Sequence, residues 1–171
     1  RGKGVGVVIA PWIFPIAIPC GGIAASLAAG NTVILKHSAR TPLCGIHFEK
    51  AFSHGSQGLV TNVILTHAQT LALIQDVRID HVVFTGSVKG GRQVYGAAAQ
   101  GLIDAGLELG GKDPAYVAAD ADLDFTIPNV VDGACYNAGQ SCCAIERVYV
   151  HQSLYDHFIE QSRVVIEQYR L

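Results

Sequence analysis

Four places in this 171-residue sequence combine residue types and spacing that could do chemistry. Gly139-Gln140-Ser141-Cys142-Cys143 sets a thiol in a glycine-bearing loop. A nucleophilic cysteine needs thiolate character and partial exposure, which such a loop can supply. The ordinary alternative is a structural thiol, since cysteine is among the most buried residue types. Adjacent cysteines make poor zinc ligands, and there is no C-x-x-C partner, so a metal site is discounted. Glu108 stands between Leu107 and Leu109, followed by Gly110-Gly111. An ionised acid is costly to bury in an apolar strand, a setting that suits a general base. The other reading is a surface strand end paired with Lys112. Lys36 ends the apolar run Val33 to Leu35, where an open α/β sheet places its ligands; the alternative is a solvated strand end. His81 to Thr85 runs into Gly86-Ser87, Gly90 and Gly91 and then a helical pattern. Glycines there let N–H groups approach a phosphate at a helix N-terminus, or simply make a tight turn. Neither a P-loop nor G-x-G-x-x-G is present.

The elements that must hold these groups are those of an alternating α/β chain. Val5–Ala10, Thr32–Lys36, Val60–Leu65 and His81–Thr85 read as strands. Cys20–Ala29, a segment opened by Thr41-Pro42, Ala68–Gln75 and a segment through Ala99 read as helices. Pro11 to Pro19 reads as loop. This alternation predicts a doubly wound parallel sheet. Past Gly106 the pattern changes. Leu107–Leu109, Tyr116–Ala119 and Val148–Val150 read as brief strands, Asp120–Asp124 as an acidic cap before a helix, and Ser153 as the N-cap of a final amphipathic helix. A domain boundary is expected near Gly110-Gly111, giving 1–110 and 111–171.

Composition narrows the function classes. The net charge is −2, with 50% hydrophobic and 15% charged residues, against about 25% charged in an ordinary soluble domain. Such a chain lacks the basic footprint of a nucleic-acid binder and is expected to bury faces against something else. Residues 4–35 carry no charge, enough for a membrane span by length. Pro11, Pro15, Pro19, Gly21, Gly22 and Gly30-Asn31 break the stretch into a buried βαβ unit instead. Five cysteines without a regular framework suggest free thiols in a reducing, cytoplasmic setting. The absence of methionine suggests an internal segment of a longer protein. His47, His54, His67, His151 and His157 read as surface residues.

Taken together, the motifs resemble the aldehyde dehydrogenase superfamily over nearly the whole chain. Pro11-Trp12-Ile13-Phe14-Pro15 is similar to its PWNFP motif, and Ala29-Gly30-Asn31-Thr32-Val33 with Lys36 and Thr41-Pro42 to its AGNxVxxKxxxxTP run. Phe84-Thr85-Gly86-Ser87, Leu107-Glu108-Leu109-Gly110-Gly111-Lys112 and Gly139-Gln140-Ser141-Cys142 resemble FTGS, LELGGK and GQxC. The resemblance implies a Rossmann-like cofactor domain followed by the beginning of a second α/β catalytic domain. It implies oxidation of an aldehyde to a carboxylic acid with NAD or NADP. Cys142 would form a thiohemiacetal and then a thioester, and Glu108 would activate the hydrolytic water. Lys36 would hold the adenosine ribose. Ser87, Gly86 and Gly91 would flank the pyrophosphate, and Trp12, Phe84 and Leu109 would complete the cofactor contacts. Cys143 would turn into the fold. A homo-oligomeric parent is implied, with no metal, nucleic-acid or membrane partner.

Three departures from the family pattern stand out. Ile13 replaces the Asn whose amide helps hold the oxyanion. Ala39 replaces a Glu that faces the ribose in many NAD-preferring members, and with Arg40 beside it a 2′-phosphate meets less repulsion. Thr66-His67-Ala68 lacks the family's Gly-rich turn. Three functions therefore compete: an NAD(P)-dependent dehydrogenase, a catalytically impaired member or fragment that keeps the fold and nucleotide binding, and a thiol esterase.

Overall fold

The computed structural model describes residues 2, 4–54 and 58–170. The chain divides into two compact units, Arg1–Leu109 and Gly110–Leu171. In the first, β1 (Val5–Ile9), α1 (Ala17–Ala28), β2 (Thr32–Lys36), α2 (Pro42–Ser53), β3 (Val60–Val63), α3 (His67–Ile74), β4 (His81–Thr85), α4 (Val88–Gly101) and β5 (Asp104–Glu108) alternate without exception. The strands form one sheet in the order β3-β2-β1-β4-β5, every pair parallel. This is the doubly wound arrangement expected from the sequence. Its strand order reverses at β1, between β2 and β4, and a reversal of this kind opens a crevice at the carboxyl ends of the strands.

Both faces of the sheet are covered, and the side-chain period of two explains how. Val7, Ile9, Val82 and Phe84 pack with Ile74, Val94, Ala97 and Ala98 of α3 and α4. Val8, Val33, Leu35 and Val60 pack with Ile23 of α1 and Phe48 of α2. Strands buried on both faces are continuous apolar runs, which is why β1, β2 and β4 were legible. The uncharged stretch 4–35 is β1, α1 and most of β2. No helix among the described residues is long and apolar enough to cross a membrane.

Several boundaries differ from expectation. Helix α1 begins at Ala17, ahead of Pro19. A proline in the first helical turn gives up an N–H that has no intrahelical partner anyway. Strand β5 starts at Asp104, three residues before the expected Leu107, and pairs with β4 as the fifth strand. Its register is set by main-chain pairing that Asp104-Ala105-Gly106 does not advertise.

The second unit holds β6 (Asp113–Val117), α5 (Leu123–Cys135), β7 (Ile145–Val150) and α6 (Tyr155–Glu167). The two strands form a parallel pair that packs with α5 and α6 through Val117, Ile127, Val131 and Phe158. Strand β6 lies three residues earlier than expected and includes Pro114, at an irregularity in the register, where prolines are tolerated in strands. Asp122 caps α5, accepting from the N–H groups of Asp124 and Phe125 at 3.1 and 3.3 Å. Ser153 does not cap α6. It lies in a short 3₁₀ turn whose cap is His151, with the Ser153 N–H donating to His151 Nδ1 at 3.3 Å.

Candidate active site

Sheet register builds the first part of the site. Ile9 pairs with Lys36 on one side and with Phe84 on the other, so the three end one row at the carboxyl edge of the sheet. There they line a cleft of about 130 Å³ with His67, Thr70 and Leu71 of α3, and with Ser87, Gly90, Gln93 and Val94 at the start of α4. A larger recess of about 530 Å³ lies at the opposite end of the sheet, around Ile79, Asp80 and Asp104. The strand reversal favours the smaller cleft as the ligand site.

Lys36 is buried, and burial pushes its ammonium below the ordinary lysine range. The charged form costs free energy there unless an anion or polar oxygen faces it. Ser87 caps α4, its Oγ accepting the Gly90 N–H at 3.1 Å. That leaves the N–H groups that open α4 without intrahelical carbonyl partners, as at any helix start. The small residues after Ser87 have a packing cause. A Cβ on Gly90 would lie 2.8 Å from Phe84 Cζ, and one on Gly86 2.7 Å from the same atom. The Phe84 ring therefore needs both glycines. Gly91 is buried, and the space it leaves is filled by Leu109.

The structure thus gathers Lys36, Phe84 and Ser87 into one cleft. Trp12, Gly86, Gly91 and Leu109 are not among its lining residues. Gln93 and Thr70 join the lining without a sequence motif that marks them, and His67, exposed as the sequence predicts, stands at the rim of the cleft. The available signal was the capping box at Thr66. Its Oγ1 accepts the Gln69 N–H at 3.3 Å while Gln69 Oε1 accepts the Thr66 N–H at 2.9 Å. This box starts α3, and so places His67 at the cleft, without a glycine-rich turn.

Trp12 lies in the loop after β1, with the Arg40 guanidinium 5.2 Å above its ring centroid. Arg40 is accordingly engaged on an aromatic face and is absent from the cleft lining.

Cys142 lies in the second unit and is half-buried. Before it, Asn137, Ala138 and Gly139 have φ of 52, 57 and 72°. Left-handed backbone is unfavourable for Ala, and such strain persists only where surroundings enforce it. Asn137 Nδ2 donates to the Gln140 carbonyl at 3.0 Å, closing the turn. Gly111 has a clear purpose here: a Cβ on it would sit 2.7 Å from the Cys142 carbonyl oxygen. Cys143 corrects an expectation, because it is exposed rather than turned into the fold. Ser141 Oγ accepts its N–H at 3.3 Å and lies 3.2 Å from its Sγ, holding it on the outside of the turn.

Glu108 closes β5 in the first unit. Its carbonyl accepts the Gly86 N–H at 3.0 Å, and its side chain is exposed rather than buried among apolar strand neighbours. That matches the exposed strand end of the alternative reading, while Lys112, in the second unit, bonds Glu146. Among the described residues no group of three or more His, Cys, Asp or Glu side chains could hold a metal ion.

Comparison with known proteins agrees with these motifs. The profile of the aldehyde dehydrogenase family matches residues 1–171. An aldehyde dehydrogenase [NAD(P)+] 1 of Saccharomyces cerevisiae is 42% identical over 164 residues, covering 94% of this chain and 32% of that protein. The lactaldehyde dehydrogenase of Escherichia coli is 37% identical over 164 residues, covering 94% and 34%. The NAD+ complex of an aldehyde dehydrogenase from Bacillus cereus superposes with a TM-score of 0.94 at 32% identity, covering 99% of this chain and 35% of that one. The chain spans about a third of the length of the relatives it matches. It belongs to the aldehyde dehydrogenase family.

Proposed function

We propose that this chain carries the cofactor-facing and nucleophile-bearing parts of an NAD(P)-dependent enzyme that oxidises an aldehyde to a carboxylic acid. The observation that carries this reading is Cys142, half-buried on a strained left-handed turn that Gly111 makes room for, in a chain whose sheet switch point presents a buried lysine.

The chemistry of the cleft supports a ligand with a ribose and phosphates at this end of the site. Lys36 is a buried cation, no carboxylate of the described residues forms an ion pair with it, and α4 begins beside it. Lys36 would hold ribose hydroxyls. Ser87 and the first N–H groups of α4, beside Gly86 and Gly91, would face the pyrophosphate. Phe84 and Leu71 would supply apolar wall, and Trp12 and Leu109 would flank the nicotinamide side. When bound, the nicotinamide cofactor would supply a hydride acceptor, and Cys142 would hold the resulting acyl group as a thioester. Cys142, as thiolate, attacks the aldehyde carbon, and its backbone N–H faces the developing oxyanion. Glu108, whose exposed carboxylate is open to solvent in this chain, takes a proton from the water that cleaves the thioester.

Ala39 removes a carboxylate from the turn after Lys36, so NADP⁺ is expected to bind at least as well as NAD⁺. Arg40, engaged on Trp12, contributes less to this than the sequence suggested. An NAD⁺ preference of about a hundredfold, or ~2.7 kcal/mol, overturns that part. The main test is NAD(P)H formation in the full-length protein. Cys142→Ser should lower turnover by about 10⁴-fold or more while cofactor still binds, and Cys143→Ser should leave it within a few-fold. Iodoacetamide labelling and loss of activity that track Cys143 instead would defeat the reading.

A further inference from the structure

His37 follows Lys36 and is buried, with 5% of its surface exposed. Its Nε2 lies 2.9 Å from the Pro15 carbonyl oxygen. A carbonyl only accepts, so Nε2 carries the proton. Nδ1 is then the acceptor, and it takes the Ser38 N–H at 3.0 Å and the Thr41 hydroxyl, also at 3.0 Å. One imidazole, in one tautomer, therefore ties two segments together: the end of the Trp12 loop at Pro15 and the turn after β2, which it holds at Ser38 and at Thr41, the residue just before α2.

Two further contacts join the same pieces. The Ala10 N–H donates to the Lys36 carbonyl at 3.1 Å, and Arg40 covers Trp12. The turn 37–41 thus grips the loop 11–16 at Trp12 and at Pro15, just past the point where β1 and β2 part. Within the loop, Phe14 has a φ of 45°, a left-handed conformation that a bulky residue keeps only when its surroundings hold it.

We propose that His37 is a positioning residue: it fixes the loop bearing Trp12 against the segment bearing Lys36, so that the nicotinamide side and the ribose side of the site keep one spacing. The inference rests on the roles given to those residues under the proposed function. Displacement of such a loop by about an ångström can cost up to ~10²-fold in rate.

Two substitutions isolate the Pro15 bond. His37→Asn keeps an acceptor near the Nδ1 position but has no donor that reaches Pro15. His37→Gln keeps a donor at about the Nε2 reach. In the full-length protein, amide hydrogen exchange of the peptide covering 11–16 should be at least about threefold faster in His37→Asn, and should return towards wild type in His37→Gln. kcat should fall about tenfold in the Asn variant with cofactor KM changed less than about threefold, and Gln should restore it. Unchanged exchange in the Asn variant overturns the tether. Faster exchange with unchanged kcat, or a fall in kcat that Gln does not relieve, overturns the positioning role. The exchange measurement needs no turnover. An inactive wild type therefore counts against the proposed function, whereas the tether stands or falls on exchange alone.

Discussion

The two units solve the burial problem differently. Arg1–Leu109 covers both faces of a five-stranded sheet with helices and hides two separate apolar clusters. Gly110–Leu171 packs two helices with a two-stranded sheet through one small cluster, and leaves Phe125, Tyr149, Tyr155, Ile159 and Val164 exposed. Large exposed apolar surface of this kind marks regions of contact. The candidate chemistry differs in the same way. In the first unit, Lys36, Phe84 and Ser87 are positioned by sheet register and by packing. In the second, Cys142 is positioned by a strained turn. A site built on strand ends tolerates little change in the core beneath it, whereas one built on a turn responds to backbone conformation.

The largest effect should come from the core that carries the register. Ile23, fully buried between α1 and the sheet, contributes both transfer energy and close packing. Ile23→Ala should cost about 2–5 kcal/mol, whereas Val164→Ser on the exposed surface of α6 should stay within about 0.5 kcal/mol. Denaturant melts of the two variants measure the contrast. A comparable loss at Val164 would mean that the second unit relies on that face.

Ile13 sharpens the comparison on the side of activity. No side-chain donor is available at the position where the family resemblance places an amide. Ile13→Asn should raise kcat by ~10²–10³, about 2.7–4 kcal/mol, with little change in cofactor affinity. A fast wild type unaffected by the change would show that another donor holds the oxyanion.

Lys36 links stability to function in the first unit. Burial lowers its pKa from the ordinary 10.5, so the folded chain binds that proton less tightly than the unfolded one. Its contribution therefore becomes more favourable as pH rises through the window between the lowered value and 10.5, and the burial cost is fully present below that window. Lys36→Met should raise the melting temperature at neutral pH, and the gain should vanish above pH 10.5. Cofactor affinity should fall about 10–100-fold, as for a lost hydrogen bond to a charged group. Melts at the two pH values, with cofactor titration, check both halves.

The smallest effects probe backbone strain in each unit. Leu102, 94% exposed, caps α4 with a φ of 54°, and Ala138 has a φ of 57°. Leu102→Gly should stabilise by up to about 1 kcal/mol without altering activity. Ala138→Gly should stabilise or destabilise by no more than that, yet change the reactivity of Cys142, read as the rate of iodoacetamide labelling. Equal silence at both positions would separate the strain at Ala138 from the chemistry.

What could be read before any coordinates were those features whose cause is local in the chain. β1, β2 and β4 declare themselves as apolar runs, α2 by Thr41-Pro42, and the cysteine loop and LELGGK segment by their motifs. Strands β5 and β6 did not, because pairing rather than side-chain character defines Asp104-Ala105-Gly106 and Asp113-Pro114. The remaining features were decided by groups distant in sequence. His37 finds Pro15 across 22 positions, and Arg40 is drawn onto Trp12. Lys112 finds Glu146 across 34 positions, and His67 reaches the cleft because a capping box starts its helix there. Residue types and spacing state what each side chain can do. Only packing brings a donor within 3 Å of an acceptor, and so selects among its possible partners.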